Sequence, residues 1–73
     1  MAFVYILKHE VDGRLYIGSC NDLQRRLKEH RSKKPGFNVI YTEMKDSISD
    51  ALRREMYFKT GNGRRALKNL LPS

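Results

Sequence analysis

Only one of the 73 residues is a cysteine, so Cys20 has no partner within the chain and no internal disulfide can form. No Cys/His cluster offers zinc-ligand spacing either. A domain of this length buries roughly 60% of the surface its unfolded chain exposes, so its core is marginal and neither common staple supports it. A lone thiol suits a reducing compartment, and the cytosol is the expected location. No long apolar run is present, and Met1-Ala2-Phe3-Val4-Tyr5 enters a strand-like segment with no basic leader. That pattern argues against a membrane span and a secretory signal. Repeats, linkers and low-complexity tracts are absent, which leaves a single domain over residues 1–73. The glycines of Thr60-Gly61-Asn62-Gly63-Arg64 lack the Gly-Lys-Ser/Thr of a P-loop, so the segment reads as a helix stop and turn.

Acidic residues are also scarce. Eight Asp and Glu stand against fifteen Lys and Arg, giving a net charge of +7 and a pI near 9.9. Net charge speaks to partners, and a small basic domain favours a polyanion. The cations are grouped: Arg25, Arg26, Lys28, Arg31, Lys33 and Lys34 lie together with only Glu29 among them, and Arg64, Arg65 and Lys68 form a second group. Charge alone does not separate a nuclease from a passive binder, or either from a solvated basic surface.

Phe3 to Leu7 and Leu15 to Ile17 are short β-branched and aromatic runs. Asp12-Gly13 between them signals a type I′ hairpin turn. That turn would set Tyr5 opposite Cys20, Leu7 opposite Gly18 and His9 opposite Tyr16, and side-chain alternation would place Tyr5, Tyr16 and Gly18 on one face. Asn21 or Asp22 can cap a helix from Leu23 to Arg31. Lys34-Pro35-Gly36 is loop chemistry, and Phe37 to Met44 reads as a third strand alternating around Val39 and Tyr41. Ser47 or Ser49 can cap a second helix that runs to Thr60 and stops at Gly61. A short third helix would span Arg64 to Leu71, ended by Pro72. The order ββαβαα predicts an α+β domain with a three-stranded antiparallel sheet flanked by helices. Its expected core is Leu7, Ile17, Leu23, Leu27, Val39, Ile48, Leu52 and Phe58, with Cys20 a buried, inert thiol.

Both main helices carry polar residues on their apolar stripes. With Leu23 at zero on a helical wheel, Leu27 falls at about +40°, His30 at about −20° and Arg26 at about −60°. On the second helix, with Ile48 at zero, Leu52 falls at about +40°, Glu55 at about −20° and Ala51 at about −60°. An unpaired buried charge costs several kcal/mol, so these residues need partners or a purpose. Glu55 has structural partners available in Arg26 or Lys59. Equally, with two tyrosines on the facing sheet, the set supplies what phosphate chemistry needs: a carboxylate for a metal, a guanidinium for phosphate, an imidazole and two phenols.

The same residues resemble the GIY-YIG nuclease superfamily. Phe3-Val4-Tyr5 stands where the first half-motif would be, with Phe for Gly and Val for Ile, and Tyr16-Ile17-Gly18 is the second, intact. Arg26, His30 and Glu55 follow in the family's order. The resemblance covers essentially the whole chain and points to the compact stand-alone bacterial members. These are related to homing endonucleases and to the incision subunit of nucleotide-excision repair.

The resemblance implies a metal-dependent endonuclease that hydrolyses phosphodiester bonds by in-line attack of water. Tyr5, Tyr16, Arg26, His30 and Glu55 would be catalytic, with Glu55 holding one Mg²⁺ or Mn²⁺. Tyr16 is the favoured base with Tyr5 as its partner, and His30 either relays a proton or orients a phenol. Gly18 would leave volume for the sugar-phosphate backbone, its plainer reading being a strand-end glycine beside a bulge. Arg25, Lys28, Arg31, Arg64 and Arg65 would add nonspecific phosphate contacts. The family's downstream Asn is assigned to neither Asn62 nor Asn69. No zinc finger or recognition helix is visible, so DNA shape, ends or branches are the expected targets, with a partner protein or a homodimer as further associations and no membrane. The competing readings are a catalytically silent nucleic-acid-binding module and a basic docking domain for an acidic protein.

Overall fold

The structure, a computed structural model, describes residues 1–71. Strands β1 (Ala2–His9) and β2 (Leu15–Cys20) are followed by helix α1 (Leu23–Lys33), strand β3 (Phe37–Lys45) and helices α2 (Ile48–Phe58) and α3 (Gly61–Leu70). The sheet is antiparallel in the order β2-β1-β3, so the expected α+β arrangement is present with β1 at its centre. A central strand covered on both faces needs continuous apolar sequence. Ala2, Val4, Ile6 and Leu7 supply it, together with Tyr5, all buried.

The two faces are divided between the helices. Val4 and Ile6 meet Ala51 and Phe58 of α2 and Leu67 of α3, with Ile17, Ile40 and Tyr41 packed around them. Tyr5, Leu7 and Cys20 face the other way, against Leu23 and Leu27 of α1, Phe3, Tyr16 and Phe37. Phe58 is fully buried, and truncating such a side chain to alanine costs about 3–5 kcal/mol.

The hairpin differs in register from the type I′ expectation. Tyr5 pairs with Gly18 and Leu7 with Tyr16, two residues away from the expected partners. The connection is longer than two residues: the His9 amide donates to the Arg14 carbonyl at 2.8 Å, the Gly13 amide donates to the His9 carbonyl at 3.0 Å, and Gly13 alone takes positive φ, 75°, in this loop. A slip of one residue would have reversed every side chain, whereas a slip of two preserves the faces. Tyr5, Tyr16 and Gly18 therefore do share a side.

β3 carries an irregularity opposite Ile6 and Leu7, where Ile6 pairs with Tyr41 but Leu7 pairs with Val39. The extra residue, Ile40, breaks the alternation, as a bulge does. Val39 and Tyr41 fall on opposite faces, and Val39 is left 44% exposed rather than in the core. On α2 the inward stripe runs through Ala51 and Phe58, and Ile48 and Leu52 are exposed at 37% and 46%, contrary to the core expected from the wheel. The stripe is rotated by about 70° from its expected centre, which moves Glu55 from the middle of the face to its flank.

Capping fixes the remaining boundaries. The Asp22 carboxylate accepts from the Arg25 amide and the Ser47 hydroxyl from the Asp50 amide. The segment expected as a simple stop is a helix start: Thr60 Oγ1 accepts from the Gly63 amide at 3.0 Å, and α3 begins at Gly61. Close approach explains Gly63, because a Cβ there would fall on the Tyr57 carbonyl and lie 2.8 Å from Cα of Phe58. Pro72, expected to end this helix, lies outside the described residues.

One further contact fastens α2 to the sheet. Arg54 Nε and Nη2 each donate to Glu43 of β3 at 3.1 Å, the Tyr41 hydroxyl donates to the same carboxylate, and Lys45 lies 3.1 Å from it. The guanidinium also stacks 4.3 Å above the Phe58 ring. Burial by itself would raise the Glu43 carboxyl, but the bonds from Arg54, Tyr41 and Lys45 outweigh it and bring its pKa down to about 2.

Candidate active site

Tyr5 is only 1% exposed, and its place depends on Gly18 directly across the hairpin. A Cβ on Gly18 would collide with the Tyr5 hydroxyl and lie 2.5 Å from its Cζ. The volume expected at Gly18 for a sugar-phosphate backbone is thus filled by the Tyr5 phenol. Burial, with Tyr16 nearby, pushes the Tyr5 pKa up to about 12 against the opposing pull of Arg26.

Helix α1 brings His30 over the two tyrosines. Its Nε2 is 2.9 Å from the Tyr5 hydroxyl, and its ring meets the Tyr16 ring edge-on at 4.9 Å. Tyr5 and Tyr16 stack at 6.4 Å between centroids. Burial and the neighbouring Lys34 and Arg26 charges lower the His30 pKa. The Tyr5 hydroxyl and His30 Nε2 share one hydrogen bond, whose donor is set by the imidazole tautomer. Lys34, at the helix end, sets its ammonium 3.7 Å above the Tyr16 ring.

Arg26, one turn before His30, is 44% exposed rather than buried, and its nearest carboxylate is Glu29 at 3.7 Å. Glu55 therefore pairs elsewhere. Its Oε2 accepts from Lys59 Nζ at 2.8 Å and its Oε1 from the Ser19 hydroxyl at 2.7 Å. Burial alone would raise this carboxyl, but the two hydrogen bonds outweigh it and hold the group below the ordinary range, ionised at neutral pH.

Ser19 points to the α2 side of β2 while Gly18 and Tyr16 point to the α1 side, so the two halves of the site lie on opposite faces of the sheet. They meet around β2, which is an edge strand. A cleft of about 570 Å³ wraps that edge, lined by Tyr5, Tyr16, Gly18 and Arg26 from one side and by Ser19, Leu52, Glu55, Lys59 and Arg64 from the other. Tyr16 lines this cleft and is half-buried, unlike the enclosed Tyr5.

This geometry accompanies a family match. The GIY-YIG catalytic domain matches residues 1–69 of the chain. The chain belongs to the GIY-YIG family. Among its relatives are UPF0213 proteins of Staphylococcus saprophyticus and Staphylococcus aureus, each 33% identical, with the alignment covering 90% of this chain and 89% of the relative. The solution structure of UPF0213 protein BH0048 from Bacillus halodurans is similar, with a TM-score of 0.61 and 31% identity over 96% of this chain and 85% of that one.

Of the residues expected from the sequence to be catalytic within this GIY-YIG framework, Tyr5, Tyr16, Arg26 and Glu55 line the cleft, and His30 touches both tyrosines. Of the five further cations proposed for phosphate contacts, Arg64 lines the cleft. Arg25 sits beside it on α1, 3.4 Å from Glu29, and Lys28, Arg31 and Arg65 are exposed outside it. Three contributors were missed. Ser19 was hidden inside a strand, Lys34 within a charge run, and Leu52, counted as core, forms part of the lip. The i, i+4 spacing of Glu55 and Lys59 was the one available signal for their pair.

The donor set also bears on the metal that the family implies. Among the described residues no three His, Cys, Asp or Glu side chains converge on one point. A single ionised carboxylate at an open cleft fits a hard cation that keeps most of its waters and takes phosphate oxygen, as Mg²⁺ or Mn²⁺ does. No helix among the described residues is long and apolar enough to cross a membrane.

Proposed function

We propose that the chain is an endonuclease that hydrolyses phosphodiester bonds of DNA, reading structure rather than base sequence. The observation that carries this reading is the convergence of Tyr16, Arg26 and Glu55 on one cleft along an edge strand. Glu55 would hold a single divalent ion, which when bound supplies Lewis-acid neutralisation of the scissile phosphate. Arg26, exposed and weakly paired, is free to bind phosphate oxygens with its planar fork and stabilise charge that develops in the transition state. Tyr16, which lines the cleft, would orient or deprotonate the attacking water. Tyr5, held protonated by burial, fixes His30, and His30 packs edge-on against Tyr16 and sets its orientation. Arg64 and the α1 cations extend a positive surface from the cleft, which supports backbone contacts to a polyanion. DNA repair is the process that uses such structure-directed cutting, and action there, within a complex or as a homodimer, belongs to the same reading.

A second reading, a nucleic-acid-binding module without cleavage, is favoured by one observation: Lys59 already neutralises Glu55. Cleavage of labelled duplex, nicked, single-stranded and branched DNA, with Mg²⁺, with Mn²⁺ and with chelator, separates the two. The first reading expects cutting that chelator abolishes, strongest on branched or nicked substrates. Salt-sensitive binding with no cutting in either metal would establish the second.

A further inference from the structure

Each carboxylate oxygen of Glu55 already accepts a hydrogen bond. Ser19 donates to Oε1 and Lys59 to Oε2, from opposite elements, and the Glu55 side chain is only 17% exposed. Three cations, Arg26, Lys59 and Arg64, line the cleft against this one carboxylate. A divalent ion approaching the free protein therefore meets an excess of positive charge and finds its ligand already paired with a cation. The Ser19 contact comes from the strand and holds the carboxylate in place. The Lys59 contact comes from a flexible stem that is 54% exposed, so the ammonium can swing into water at little cost.

We propose that Lys59 is a latch on Glu55: it occupies the position that a divalent cation requires, so metal binding to the free protein proceeds by displacing its ammonium. This rests on the reading of Glu55 as the metal ligand. An ammonium 2.8 Å from Oε2 repels a divalent ion that approaches the same oxygen, so the two compete for it. Lys59 thus sets metal affinity from outside the coordination shell, as a positioning residue. Ser19 plays the complementary part by keeping Oε1 aimed at the cleft whether or not the latch is closed.

The test is a Mn²⁺ titration of the free protein, followed by paramagnetic broadening of the Ser19 and Glu55 amide signals in NMR spectra. Wild type is compared with Lys59→Met, Lys59→Arg and Glu55→Gln. Lys59 is exposed at the end of α2, and an exposed i, i+4 pair contributes little to stability, so these variants fold. Lys59→Met is expected to bind Mn²⁺ roughly threefold to tenfold more tightly, Lys59→Arg to stay near wild type, and Glu55→Gln to lose the broadening. Unchanged or weaker Mn²⁺ binding by Lys59→Met, with broadening still lost in Glu55→Gln, would overturn the latch and leave the metal site standing. Broadening that persists in Glu55→Gln, or that is absent from every variant including Lys59→Met, would overturn both.

Discussion

The Tyr5 hydroxyl lies 2.9 Å from Nε2 of His30, joining the centre of the sheet to helix α1 across 25 residues of sequence. Removing the oxygen tests what that bond contributes. Tyr5→Phe keeps the ring that fills the space above Gly18 and loses only the hydrogen bond. Chemical denaturation is expected to show a loss of about 1 kcal/mol. Cleavage is expected to fall further than stability, because His30 is freed to rotate away from Tyr16.

The same pair predicts the response to pH. His30 has a lowered pKa in the folded protein, so the unfolded chain binds its proton more readily. The associated stability is present above the unfolded value of about 6.5 and is lost as pH falls through the lower folded value. Tyr5 works in the opposite direction, its stabilisation intact below about pH 10 and lost as pH rises toward its folded pKa of about 12. Thermal melts taken from pH 7 down to pH 5 are expected to show a falling Tm in wild type and a flatter profile in His30→Gln.

Two glycines are predicted to fail for steric reasons and a third to tolerate change. Gly18→Ala drives a methyl into Tyr5, and Gly63→Ala drives one into the Tyr57 carbonyl. Overpacking of this kind costs about 1–3 kcal/mol or more, with the larger loss expected at Gly63 because backbone cannot move aside. Gly61 lies in a helix, and a methyl added there would have no neighbour within 4 Å. Gly61→Ala is expected to stabilise by up to about 1 kcal/mol. Urea denaturation of the three variants gives the ranking.

Much of this arrangement was legible before the structure, and the departures have definite causes. The shared face of Tyr5, Tyr16 and Gly18 follows from alternation and survived an error of two residues in the hairpin, because face depends on parity while register depends on loop length. The bulge at Ile40 was hidden, since the sequence around Val39 and Tyr41 alternates as an unbroken strand would. Glu43 and Arg54, eleven residues apart on different elements, had no local signal at all. The rotation of α2 came from taking Ile48 and Leu52 as inward, when small Ala51 faces the sheet and permits close approach there. A helical wheel ranks hydrophobicity and is blind to how near two backbones must come. Ser19 was invisible for a related reason: a hydroxyl in a strand acquires meaning only when a helix places a carboxylate opposite it.

The clamp on β3 gives a stability prediction independent of the cleft. Arg54→Ala removes both donor groups that bond Glu43 and the cover over Phe58. A loss of about 1.5–3 kcal/mol is expected. Arg26→Ala should behave in the reverse way. Its guanidinium is exposed and only loosely paired, so the Tm should hold while the cleavage rate falls by about 10²–10³-fold. Arg26→Lys should not restore the rate, since a point charge lacks the planar fork.

Glu55 is the residue on which the proposed step from binding to cutting depends most heavily. Binding and cleavage of one labelled branched DNA by wild type and Glu55→Ala, in Mg²⁺ and in Mn²⁺, tests this directly. The variant is predicted to bind the DNA at least as tightly as wild type, with the same steep salt dependence, and to leave it uncut. Metal-dependent cutting by Glu55→Ala at the wild-type rate would contradict this and place the chemistry elsewhere on the molecule.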